Sequence, residues 1–125
     1  MADAIISVEE SFFEGVAKIK WTWTSATGGA ASLATVGSYY GEVLALVTDP
    51  GATAPTDNYD ITITDADGYD VMQGAGANRD TANTETAVPT AKSVAFGKLT
   101  LTIAAAGDEK VGATTLYILG RRVGI

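Results

Sequence analysis

Asp65, Asp67 and Asp70 crowd around Gly68, with Asp57 and Asp60 a few residues upstream. Carboxylates at this spacing are hard oxygen donors, and calcium takes six to eight such oxygens. A twelve-residue calcium loop counted from Asp65 would close on a glutamate at position 76 and sit between two helices. The chain has Gly76 there. The competing reading is a turn, since aspartates next to glycine bond their own backbone and stabilise a tight reversal. The pattern favours the turn, so no metal is expected; Asp65, Asp67 and Asp70 are the residues that calcium would use.

Three other groups could carry chemistry. Gly74-Ala75-Gly76-Ala77-Asn78-Arg79 begins like a dinucleotide fingerprint. Its third glycine position is Arg79, and no strand–helix unit surrounds it, so the phosphate argument fails and no cofactor is expected. Trp21, Trp23, Tyr39 and Tyr40 could form a stacking platform for sugars or fill a core, and a small sandwich needs large side chains inside. Glu42, Asp57, Asp60 and Asp70 could supply an acid–base pair, but sequence gives neither their separation nor a raised pKa. With no histidine and no cysteine in 125 residues, the usual nucleophile–imidazole arrangements, thiol chemistry and most zinc sites are excluded. The chain is not expected to be an enzyme.

Charge narrows the partners. Eight basic residues against fifteen acidic ones give a net charge of −7, which opposes a phosphate backbone. Arg121-Arg122 is too small a basic footprint for nucleic acid. No run is long enough for a membrane-spanning helix, and Asp3 and Glu9 stand where a signal peptide would carry basic residues. The expectation is a soluble protein made in the cytoplasm.

The elements that must position these residues read as strands. Leu99, Leu101 and Ile103 alternate with Thr100 and Thr102; Tyr59, Ile61 and Ile63 alternate with Asp60 and Thr62; Ile19, Trp21 and Trp23 alternate with Lys20 and Thr22. Each has one apolar face, as in antiparallel sheets. Residues 39–47 and 114–119 are apolar on both parities and read as central strands, or as strands whose outer face meets another subunit. Asp65-Ala66-Asp67-Gly68 signals a hairpin. Ser7-Val8-Glu9-Glu10 matches a helix capping box, but Gly15 leaves too short a helix, so residues 1–15 are expected as an N-terminal strand or arm. Residues 16–125 are expected as one all-β domain, an antiparallel β-sandwich or barrel of jelly-roll-like form. Its one long polar loop, residues 74–93, is the first candidate for reaching a neighbour.

The run from Ala54 to Gly68, with its Asp57-Asn58-Tyr59-Asp60 and Asp67-Gly68, resembles a segment of small structural proteins of tailed bacteriophages. Asp70-Val71, residues 76–82, residues 19–25 and residues 97–101 continue the likeness, which covers most of the chain beyond about residue 15. The resemblance implies a virion component, foremost a capsid decoration or cement protein, and otherwise a tail, baseplate or head–tail connector subunit. It implies no catalytic residues. The partners would be further copies of the chain and the major capsid protein or other virion proteins. Asn78, Arg79, Asp80, Arg121 and Arg122 are the interface candidates, Arg79 and Asp80 having the alternative of anchoring the loop by a salt bridge, with the N-terminal arm and residues 121–125 as docking strands. A carbohydrate-binding module is the alternative from a different class.

Overall fold

In the computed structural model, which describes residues 2–125, the alternating segments form nine strands and no helix. They are β1 (Ile5–Phe13), β2 (Val16–Thr24), β3 (Ala31–Ala34), β4 (Ser38–Pro50), β5 (Asp60–Thr64), β6 (Glu85–Ala87), β7 (Val94–Gly97), β8 (Thr100–Ala104) and β9 (Val111–Val123). The larger sheet runs β1-β2-β9-β4, with β6 and β7 both on the far side of β4, and the smaller runs β3-β8-β5. All pairings between these strands are antiparallel. The chain passes between the sheets from β2 to β3, and again on to β4, β5, β6, β8 and β9 in turn. That is the winding of a jelly roll. The expected all-β sandwich of a single domain is the observed architecture.

Alternation explains which faces close. Ile19, Trp21 and Trp23 of β2, Tyr39 and Leu46 of β4, and Leu116 and Ile118 of β9 point inward from the large sheet. Ile61 and Ile63 of β5 and Leu101 and Ile103 of β8 meet them from the small sheet, with Leu99 and Tyr59 just outside the strands. Trp23 and Tyr59 meet across the layers at 5.8 Å between ring centroids. Each large apolar side chain closed off in this way contributes roughly 1.5–3 kcal/mol. The doubly apolar segments are β4 and β9, paired over most of their length at the centre of the large sheet. A bulge between Val43 and Ala45 turns Leu44 out of the ladder.

Three expectations need correction or refinement. The Asp65–Gly68 turn forms, but the hairpin extends only to the single bridge Thr64↔Asp70. Residues 71–76 then coil into turns that send Val71 and Met72 into the core, where a fourth strand of the small sheet would lie. The polar loop of residues 74–93 is not structureless, because β6 lies within it and pairs Leu46–Thr48. Three residues with one apolar member carry too little periodicity to announce a strand. Residues 5–13, finally, form a strand and not a free arm, since β1 pairs β2 along its whole length. Glu14 and Gly15 both have positive φ (49° and 84°), as a two-residue type I′ turn requires.

Candidate interaction face

Two members of the acidic cluster, Asp65 and Asp70, are occupied by backbone, and Asp67 is exposed. Asp65 Oδ1 accepts from the N–H groups of Asp67 and Tyr69 at 3.0 and 3.2 Å. Asp70 Oδ1 accepts from Met72 N–H at 3.0 Å, and its Oδ2 from Gly74 N–H at 2.9 Å. These carboxylates hold the turns that lead residues 71–76 into the core, as the turn reading required. No three Asp, Glu, His or Cys side chains among the described residues gather as a metal site.

The other carboxylates do not converge either. Asp60 Oδ1 accepts from Asn78 N–H at 3.0 Å and Asp57 Oδ1 from Thr81 N–H at 3.3 Å, both pinning the polar loop. Glu42 lies on β4 in the other sheet. Of the four rings considered for sugar stacking, Trp21, Trp23 and Tyr39 are at most 1% exposed, which leaves them no face for a ligand. Their polar atoms are satisfied inside: Trp21 Nε1 donates to Leu33 O at 3.0 Å and Trp23 Nε1 to Thr114 Oγ1 at 3.1 Å. Tyr40 points outward and packs edge-on against Phe96 at 4.9 Å.

The interface candidates divide. Arg79 bridges Tyr59 through its backbone, donates from Nε and Nη2 to Ala77 O, and lies 3.6 Å from Glu85. It anchors the loop internally and does not project from it. Asp80 accepts from Ala82 N–H and Asn83 Nδ2, and these bonds hold its carboxyl below the usual range. Asn78 is exposed with φ at 57°, a turn conformation that asparagine tolerates. Arg122 sits 5.6 Å above the Phe12 ring and donates to Glu10 O at 3.2 Å. Arg121 alone of the two arginines faces outward unengaged, opposite Tyr40 in the ladder. The C-terminal segment is not free to dock as far as Val123, which pairs Ser38.

The apolar surface left over is the outer face of the large sheet. Register places Phe13, Val16, Leu119, Glu42 and Val94 in one row across β1, β2, β9, β4 and β7. Phe96 and Tyr40 form the row on one side of it, and Leu44 stands at the bulge on the other. Phe13, Leu44, Val94, Phe96 and Leu119 are all exposed. An open hollow of about 400 Å³ beside the hairpin is lined by Ser11, Phe13, Glu14, Val16 and Lys18. On this face Lys18, Lys20 and Arg121 stand against Glu9, Glu42 and Asp49, so it is close to neutral in a strongly acidic chain. A largely apolar patch with sparse charges of both signs is the composition of a protein–protein contact. Sequence reasoning placed an outer contact on β4 and β9 but missed Phe13, Val94 and Phe96. The alternation of Val94 and Phe96 with Ala95 and Gly97 was the available signal.

Glu10 is the residue whose role sequence gave no hint of. Its Oε1 accepts from Gly37 N–H at 3.0 Å and from Tyr39 OH at 2.7 Å, and its Oε2 from Val36 N–H at 2.9 Å. Burial first, and then the Glu10 carboxylate, push the Tyr39 phenol far above its ordinary pKa.

No family model matches the chain, and no curated protein does. Among solved structures, it is similar to one described as a carbohydrate-binding module of the β-sandwich superfamily, at 15% identity and a TM-score of 0.43. The match covers 97% of this chain and 54% of the other, so the chain spans about half the length of the protein it matches.

Proposed function

We propose that this chain is a non-enzymatic structural subunit that assembles through the outer face of its larger sheet, and that it serves as a capsid decoration protein of a tailed-phage particle. The observation that carries the assembly reading is the row Phe13–Val16–Leu119–Glu42–Val94, in which Phe13, Leu119 and Val94 are exposed, Val16 is half-buried and Glu42 is the one charge. Patches of this kind, rimmed by polar residues, mark contact sites. Of the aspartates considered for calcium, Asp65 and Asp70 are engaged by backbone N–H groups and Asp67 is exposed, and the rings considered for sugar are buried except Tyr40 on the face itself. The phage assignment rests on the sequence resemblance. The net charge of −7 suits a subunit that must stay soluble before it docks.

The test has two arms. Immunogold labelling of purified particles should decorate the heads uniformly; label confined to the tail would move the subunit there, and unlabelled particles would remove the virion assignment. Leu119→Asp, which places a charge in the centre of the row, should abolish binding to undecorated heads while the far-ultraviolet circular dichroism is unchanged. Undiminished binding by a folded Leu119→Asp variant would remove the outer face from the assignment.

A further inference from the structure

We infer that β1 is a self-pairing edge, through which a second copy of this chain extends the large sheet across a two-fold axis centred on Glu9. This deepens the assembly reading and rests on it. β1 ends the strand order, so one side of a nine-residue strand has no hydrogen-bonded partner strand among the described residues, although β3 packs close to it. An unpaired edge of this length is a template for another strand unless something blocks it. Residues 5–13 contain no proline, and β1 has no bulge against β2.

Hydrogen-bond direction sets which residues are available. The pair flanking a two-residue turn exchanges both backbone bonds, so Phe13 and Val16 form such a pair. Alternation then commits Ser11, Glu9, Ser7 and Ile5 to β2 and directs the N–H and C=O groups of Phe12, Glu10, Val8 and Ile6 to the free side. Glu10 O already accepts from Arg122, and a carbonyl has a second lone pair for a ladder bond.

Pairing two such edges about Glu9 sets Val8 against Glu10 of the second copy and Ile6 against Phe12, all with outward-directed groups. On the outer face it sets Ile5 against Phe13 of the second copy. These are the two most exposed large apolar side chains among the described residues, at 74% and 76%. Each would cover the other, twice over by symmetry, and would extend the Leu119–Val16–Phe13 row into the neighbour. In the central row Lys20 stands across from Glu9 on β2. The assembled row would read Lys20, Glu9, Glu9, Lys20, two charges of each sign, with each lysine beside the glutamate that the two-fold brings against its own kind.

The edge is tested by size-exclusion chromatography with light scattering over a concentration series. The wild-type chain should reach twice the monomer mass. Val8→Pro removes one outward N–H without touching the β2 ladder and should return the monomer, whereas Val8→Ala, which loses more side chain and keeps the N–H, should still dimerise. Lys20→Glu should also give monomer. A wild-type chain that stays monomeric overturns the inference, as does a dimer that survives Val8→Pro or is lost equally in Val8→Ala. A dimer lost only in Leu119→Asp overturns edge pairing and leaves the outer-face reading standing. If Val8→Pro does not fold, amide exchange on the wild type decides. Concentration-dependent protection of the Ile6, Val8, Glu10 and Phe12 N–H groups supports the edge, and concentration-independent exchange overturns it.

Discussion

The Tyr39 phenol donates a 2.7 Å hydrogen bond to Glu10 Oε1, tying the fully buried ring of β4 to the outermost strand of its sheet. The same carboxylate caps the Val36 and Gly37 N–H groups of the β3–β4 connection, so one side chain joins three parts of the chain. Glu10→Ala should lower the unfolding free energy by about 2–3 kcal/mol, since it leaves a buried hydroxyl and two amides without their charged acceptor. Denaturant titration reads this as a lower midpoint with an unchanged slope. Removal of residues 1–10 should cost more still, because two-thirds of β1 leaves with the carboxylate; a truncated chain as stable as the parent would contradict this account of β1.

Alkaline pH should weaken the fold. Burial pushes the Tyr59 phenol from 10.0 up to about 12, against a smaller downward pull from the Thr48 hydroxyl, and Tyr39 is raised further. Neither the Tyr59 nor the Thr48 hydroxyl finds a partner in hydrogen-bond geometry. A phenol whose folded pKa is raised stays protonated longer in the fold than in the unfolded chain. Its contribution is therefore complete below pH 10 and is lost as pH rises through the folded value. Unfolding free energy measured from pH 9 to 12 should fall beyond 10. Tyr59→Phe should flatten part of that fall and, because it deletes an unpartnered buried hydroxyl, should cost little at neutral pH.

Tryptophan emission should be blue-shifted and resistant to acrylamide, because Trp21 and Trp23 are closed inside the sandwich. Added mono- and oligosaccharides should leave it unchanged. Red-shifted emission quenched by a sugar would mean that these rings can be reached, contrary to the packing described.

Gly41 and Gly120 face each other in the β4–β9 ladder, and a Cβ on either would stand 2.2 Å from Leu119 O or 2.1 Å from Tyr40 O. Neither has a positive φ, so the constraint is space and not conformation. Gly120→Ala should destabilise the fold by about 3 kcal/mol or more, since the obstacle is backbone in a central pair and cannot swing aside. Gly28→Ala is a useful comparison, because there a Cβ meets nothing within 4 Å and only its φ of 101° resists.

The sequence by itself determined what repeats along a strand. Period-two alternation placed Ile19, Trp21, Trp23, Tyr59, Ile61, Ile63, Leu99, Leu101 and Ile103 on the buried side, and the structure has every one of them there. Aspartate–glycine chemistry named the turn at Asp65–Gly68. Both signals are local, and local periodicity is carried in the order of residues. Tertiary structure decided what depends on partners distant in sequence. Between the two readings of Arg79, loop anchor or subunit contact, tertiary structure chose the anchor, because Glu85 and the backbone of Tyr59 lie beside it. β6 exists because β4 presents an open ladder at Leu46–Thr48. Glu10 is a cap only because folding brings Val36, Gly37 and Tyr39 against it from about 26 to 29 residues away. The row on the outer sheet likewise joins residues from five strands spread from one end of the chain to the other. No window of sequence contains it, and only the strand order and register assemble it.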